Sequence, residues 1–277
     1  MKRLLFVFLC GVLLVITPVK AEDEKRIVSL VPSGTELIYE LGLLEQLVGV
    51  TTVDFYPEEL EDMDIMRFDV MMLDVEALLE LQPTHIITHE MNASMTEEIL
   101  KQVAASTDVE ILVIEDEKTI EDIAESIKDV GVFLDEEDKS EVLSETFLDD
   151  IEALGEEVEG SHDVIVFVSL EPEIYTVGAE TFIDSALELI GYKNVFDDIE
   201  GYKSISIEDI LVRNPEYAIN ITSLDADAFN DALSSKNVTG LQIADTDYQC
   251  TIDPDVLARP GIRILEGLEA IEECISN

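Results

Sequence analysis

The chain has 277 residues, 63 of them acidic and 16 basic, for a formal net charge of −47, and 47% of its residues are apolar. Such a surface repels phosphate, which excludes a nucleic-acid binder, while the apolar fraction is that of a folded protein rather than a disordered one. The acids run along the whole chain instead of gathering in a tail. They read as a solvated coat suited to high salt, where a Debye length of roughly 3 Å at about 1 M relieves self-repulsion. A single Asp or Glu here therefore needs a positional argument before it carries a role.

The chain opens with Lys2 and Arg3, followed by an apolar run from Leu4 to Ile16 that is too short for a typical membrane span. Val19-Lys20-Ala21 fits a small-residue cleavage site, so residues 1–21 read as a signal peptide and the protein as exported. Removing Lys2, Arg3 and Lys20 takes the charge to −47 − 3 = −50. Leu9 before Cys10 is not small, which argues against a lipoprotein anchor. Cys250 and Cys274 remain, and export permits a disulfide, but their positions alone leave the pairing open. Two cysteines exclude a four-thiolate metal centre.

Arg26 to Val31 reads as a buried strand, and Ser33 with Glu36 as a capping box opening a helix that Gly42 closes. Leu47 to Thr51 is the next strand, feeding the loop Asp54-Phe-Tyr-Pro57. A strand over 84–89 ends at His89, where a parallel sheet presents residues to a cleft. Met95 to Ala105 is helical, Glu110 to Ile114 a strand and Thr119 to Leu134 an amphipathic helix. Glu136 to Glu159 is charged, free of Pro and helical by pattern, a rigid connector of about 35 Å. Asp163 to Leu170 is a buried strand, Glu171 to Tyr175 a short loop and Thr181 to Ile190 a helix closed by Gly191. Tyr202 precedes a further helix and strand, and a terminal helix closes the chain.

One stretch occurs twice. Asp74 to Ile87 and Ser206 to Ile219 each open on a helix N-cap, carry Glu two places on (Glu76, Glu208), run apolar at helical spacing, and stop at Pro83 or Pro215. The offset, 208 − 76 = 132 residues, is about half the chain and predicts two similar lobes. Alternating strands and helices predict open, mainly parallel sheets in an α/β fold.

Nucleotide, hydrolase and zinc-protease motifs are absent from the sequence. The histidines are His85, His89 and His162. His85 lies mid-strand and reads as structural, and His162 as a solvated turn residue. His89 lacks His or Cys partners at ligand spacing, so it builds no bare metal site, although it could cap a metal already held in an organic macrocycle. Tyr56, Tyr175 and Tyr202 fall in loops where a cleft wall would be, and their faces suit large flat ligands. Glu76 and Glu208 satisfy helix dipoles, or else form paired docking charges, one on each lobe.

Several stretches in order resemble the substrate-binding proteins of ABC importers for cobalamin, iron-siderophores and haem. They are Ser29 to Leu37, Val48-Gly-Val with Tyr56-Pro57, Val75 to Leu79 with Pro83, and Gly178 with Phe182-Ile-Asp. After these come Leu189-Ile-Gly191, Asn194-Val, Ser206 to Leu211 with Pro215, and Arg259-Pro-Gly261. The resemblance implies two Rossmann-like lobes with mainly parallel sheets joined by one long helix, the class III periplasmic-binding-protein type, with little hinge motion. Residues 22–134 would form the N-terminal lobe, 135–160 the connecting helix and 161–277 the C-terminal lobe. It implies no catalysis and no resident cofactor. A monomer would carry a metal chelate, corrinoid first or else a ferric siderophore or haem, to a membrane permease dimer from the periplasm or cell surface. By position the implied ligand-binding residues are Tyr56, His89, Tyr175, Tyr202, Asp255 and Arg259, and the implied permease-docking residues are Glu76 and Glu208. The chain departs from the cobalamin-binding pattern in having no Trp; His89 and Tyr202 stand where indoles would be, and His89 could coordinate a chelated metal axially. Arg259 suits a carboxylate or phosphate on the ligand. Alternatives are a free-metal receptor of related fold and an exported α/β enzyme.

Overall fold

The computed structural model describes residues 25–158, 160–238 and 240–276. The leader expected at residues 1–21 lies outside them.

The N-terminal lobe is built in the order β1 (Ile27–Ser29), α1 (Pro32–Glu40), β2 (Leu47–Thr51), β3 (Met66–Phe68), α2 (Val75–Glu80), β4 (His85–His89), α3 (Ala93–Ser106) and β5 (Glu110–Ile114). Its five strands lie in the order β3-β2-β1-β4-β5, and every pairing is parallel. Helices α4 (Ile120–Phe133) and α5 (Glu137–Glu157) follow. The C-terminal lobe comprises β6 (Asp163–Ser169), β7 (Ile174–Val177), α6 (Phe182–Leu189), β8 (Lys193–Asn194), β9 (Tyr202–Ile205), α7 (Ile207–Arg213), β10 (Tyr217–Asn220), α8 (Ala226–Ser235), β11 (Gln249–Thr251), α9 (Pro254–Leu257) and α10 (Ile264–Ser276). Its sheet runs β11-β10-β6-β7-β9, with β8 beside β6. Here β7 is antiparallel to both of its neighbours. Residues 170–173 are too few for the crossover that a parallel β6–β7 pair would need. Tyr175 and Tyr202 therefore lie in strands, not in the loops expected for them.

The duplication reaches the backbone. Asp74 caps α2 by accepting from the amides of Glu76 and Ala77 at 2.9 and 3.1 Å. Ser206 caps α7 through the Asp209 amide at 3.2 Å, and Asp209 returns a bond from the Ser206 amide at 3.0 Å. Each helix gives way to a left-handed residue just before its proline, Gln82 (φ 48°) and Asn214 (φ 51°), again 214 − 82 = 132 apart. The capping box expected at α1 does not form. Val31 is the N-cap and its side chain makes no capping bond. Pro32 takes the first helical position, where no amide hydrogen is needed, and Ser33 and Glu36 turn inward to 4% and 2% exposure.

Helix α5 joins the lobes. Near its start Lys139 Nζ donates to Leu41 O at the end of α1, at 3.0 Å. Near its end Gly155 lies so close to α6 that a Cβ would stand 2.7 Å from Leu189 O. Its 21 residues span about 31 Å. Helix α4 lies along it, with Ser144 Oγ donating to Ala124 O at 2.7 Å. One continuous apolar core contains Ile27 and Val50 from the first lobe, Ile127, Phe147 and Ile151 from the paired helices, and Val164, Ile219 and Leu268 from the second. Parting the lobes would expose that surface at a cost of roughly 25 cal/mol per Å², which resists their separation. A disulfide between Cys250 and Cys274 fastens β11 to α10.

Candidate functional site

The first sheet is all parallel, so the loops after β1, β2, β4 and β5 leave from one edge. That edge faces the second lobe across a cavity of about 580 Å³. From the first lobe it is lined by His89, Met91, Asp116, Glu117 and Lys118, and from the second by Glu180, Glu200, Tyr202, Lys203 and Pro260 among others. Lys118 Nζ reaches Glu180 Oε2 at 3.4 Å, an ion pair from lobe to lobe.

His89 ends β4 as expected, but it is buried at 1% exposure. Its Nδ1 accepts from the Met91 amide at 3.0 Å and its Nε2 stands 2.7 Å from Glu117 Oε2. A backbone amide can only donate, so Nδ1 carries the lone pair and Nε2 the proton. Neither nitrogen presents a lone pair to the cavity. The axial-ligand role expected for His89 would therefore require its bond to Glu117 to break. Tyr202, at the start of β9, is 44% exposed and forms part of the opposite wall. Its hydroxyl is pushed up to about 12, first by the crowding of the cleft walls and then by the Asp116 charge.

The remaining expected ligand residues scatter. Asp255 and Arg259 meet each other, Arg259 Nη2 lying 2.7 Å from Asp255 Oδ1. Arg259 also crosses to the first lobe, donating to Val53 O at 3.3 Å. Tyr56 packs edge-on to Tyr39 with ring centroids 5.5 Å apart, and the Arg263 guanidinium lies 4.2 Å from the centre of its ring. Tyr175 sits on β7, 39% exposed, and is not among the residues that line the cavity. His85 bonds Thr84 Oγ1 at 2.8 Å and stacks edge-on to Phe133. His162 is not simply solvated, since Nδ1 meets Glu216 Oε2 at 3.0 Å. Glu76 and Glu208 are both exposed, on the first turns of α2 and α7.

Sequence reasoning missed Glu117, Lys118, Glu180 and Arg263. A signal was available in the rarity of cations. Beyond residue 21, 16 − 3 = 13 Lys and Arg remain, and Lys118, Lys203, Arg259 and Arg263 all gather where the lobes face each other.

Among the described residues no group of three or more His, Cys, Asp or Glu is placed to hold a metal ion. The cleft joins aromatic, carboxylate and ammonium side chains around a space of ligand size.

Comparison with known proteins bears on that geometry. A family model described as periplasmic binding protein matches residues 27–240. The chain is 30% identical over 262 residues to YvrC of Bacillus subtilis, an uncharacterized ABC transporter substrate-binding lipoprotein, with 92% of this chain and 81% of that one covered. It is 26% identical over 256 residues to a vitamin B12-binding protein of Vibrio parahaemolyticus, covering 91% and 89%. A solved structure of a possible iron-binding, periplasmic solute-binding protein from Staphylococcus epidermidis superposes with a TM-score of 0.83 at 32% identity, over 91% of this chain and 98% of that one.

Proposed function

The chain belongs to the periplasmic binding protein family, and from that premise we propose that it captures a metal chelate outside the membrane and delivers it to an ABC permease. The observation that carries the reading is the cleft itself, about 580 Å³ between two lobes that share one apolar core, walled by Tyr202 and floored by the His89–Glu117 pair. Its lining sets Asp116, Glu117, Glu180 and Glu200 against Lys118 and Lys203. Carboxylates accept hydrogen bonds and repel anions. A corrinoid, whose rim carries neutral amide donors, suits that lining better than the carboxylates of haem or an anionic siderophore. Tyr202 supplies a face for the flat ring. In this reading His89 holds Glu117 in place instead of ligating the metal, and Arg259, engaged with Asp255 and Val53, shapes the cleft rim.

Glu76 and Glu208 serve as the two docking charges for the permease dimer. Exposed apolar side chains lie close by in the chain: Met71 and Met72, 70% and 78% exposed, precede Glu76 by five and four residues, and Val212, 85% exposed, follows Glu208 by four on the same helix. Charge with an apolar shoulder is the usual make-up of a contact surface.

The test is a titration in high salt with cyanocobalamin, cobinamide, haemin and a ferric hydroxamate in turn, following tyrosine fluorescence and each ligand's visible spectrum. Saturable one-to-one binding of the corrinoids, weakened by Tyr202→Ala, is the expected result. Folded protein that binds none of the four would overturn the reading.

A further inference from the structure

Between β11 and α10 the chain leaves the second sheet and lies across the first lobe. The Cys250–Cys274 disulfide encloses this strap. Ala258 and Pro260, in its middle, line the cleft. Arg259 holds the first lobe through Val53 O. Gly261 packs on α1, where a Cβ would stand 3.2 Å from both Ser33 Cβ and Glu36 Oε2, so a larger residue would have to push α1 back by a few tenths of an ångström. Arg263 forms a fork with Glu266 at 3.0 and 3.0 Å and reaches Glu36 Oε1 at 3.8 Å.

Under the strap lies Glu36, 2% exposed, with no hydrogen-bond partner for Oε1. Ser33 Oγ nearby on the same lobe is likewise buried and unpartnered, and Thr35 and Asp54, also buried there, have only each other and Thr51 as side-chain partners. A carboxylate shut away from water without donors favours its neutral form. Burial is the largest cause and outweighs the opposing Arg263 and Arg259, with Asp54 and Glu266 reinforcing it, and carries Glu36 up to about 7.

We propose that Glu36 is a proton-held latch between the lobes, which seats the strap while its carboxyl is protonated and lifts it when the proton leaves. The sign follows from linkage. Gly261 closes over Glu36 Oε2, so the strap supplies part of the burial that raises the proton affinity of Glu36 against the pull of its own Arg259 and Arg263; in the latch that burial dominates, and proton binding then favours the seated strap by the same factor. An ionised Glu36 gains hydration when the strap lifts, and Arg263 stays paired with Glu266. Because Ala258 and Pro260 ride on the strap, its lifting loosens one wall of the cleft. That last consequence rests on the cleft being the ligand site, whereas the latch itself does not.

The test therefore uses ligand-free, full-length protein. Amide hydrogen exchange is followed from pH 4.5 to 8.5, corrected for the chemical exchange rate, at Ala258 and Ile264, whose amides bond Pro254 O and Gly261 O. Protection at these two sites should fall at least about tenfold between pH 5 and pH 7.5 and level off above it, while β6 amides stay constant. Glu36→Gln should remove the step and hold protection at the low-pH level. Arg263→Met should move the step to higher pH by removing the charge that opposes protonation. A flat wild-type profile, or a step that survives in Glu36→Gln, overturns the latch; should Glu36→Gln not fold, an unmoved step in Arg263→Met does so. A step in protein that binds no chelate keeps the latch and removes only its link to ligand.

Discussion

His89 Nε2 and Glu117 Oε2 meet at 2.7 Å in the floor of the cleft, with side chains 1% and 3% exposed. The Met91 amide fills the other ring nitrogen, so the ring is bonded at both ends. His89→Ala removes the donor and leaves a carboxylate buried alone. It should cost about 3 kcal/mol, whereas Glu117→Gln, which keeps an acceptor for Nε2, should cost about 1 kcal/mol. Denaturant titration of both variants in high salt reads the difference. Equal, small losses would mean that the pair is open to water.

Tyr202 and Tyr175 give a contrast on one sheet. Tyr202 borders the cavity and Tyr175 does not, although residues 174–177 and 202–205 are hydrogen-bonded neighbours. Tyr202→Ala should weaken corrinoid binding about tenfold, the loss of one stacked face, and Tyr202→Phe should restore most of it. Tyr175→Ala should leave the affinity within about twofold. An equal loss from Tyr175→Ala would place the ligand over β7.

Much of this architecture was legible in the sequence because local physics repeats. Asp74 and Ser206 cap, Pro83 and Pro215 stop, and the 132-residue offset holds even for the left-handed Gln82 and Asn214. Strand edges were harder. Tyr175 and Tyr202 read as loop residues because Pro172 and Gly201 flank short strands whose pairing is set by tertiary contacts. The capping motif at Ser33 and Glu36 misled for a related reason. A capping box and a buried polar pair share the same spacing, and only the strap from residues 253–263 decides between them. The cleft residues Glu117 and Glu180 were hidden among 63 acids, where one more carboxylate carries no signal until its partner is placed.

The disulfide closes a span of 24 residues that holds the strap and α9. The chain-entropy relation gives about 3 kcal/mol for a loop of that size. Cys250→Ser with Cys274→Ser should lose about that much stability, read by thermal or urea unfolding without reductant. The double variant should also show faster amide exchange at Ala258. Unchanged stability would mean that the terminal helix α10 is held by packing alone.

Charge reversal at Glu76 and Glu208 tests whether delivery can be separated from capture. Glu76→Lys and Glu208→Lys lie on exposed first turns, and neither residue lines the cavity. Each should leave ligand affinity unchanged while transport into permease-containing vesicles falls at least about tenfold, with the double variant lower still. Transport at the wild-type rate in the double variant would remove both residues from the docking surface.

Glu36 also marks the global stability curve. Its carboxyl lies at about 7 in the folded protein against a usual value of 4.5, raised first by burial. An acid raised on folding binds more protons in the native state than in the unfolded one between those two values, so its contribution is fully present below about 4.5 and lost as pH rises through about 7. The difference corresponds to about 3 kcal/mol at 1.36 kcal/mol per pH unit. Glu36→Gln has no such proton to lose. It should match wild type near pH 4.5 and exceed it by about 2–3 kcal/mol at pH 8, a comparison in which the many surface carboxylates cancel. Unfolding by urea at the two pH values, wild type beside variant, makes the measurement. A gap that fails to widen with pH would show that Arg263 and Arg259 already neutralise the buried charge.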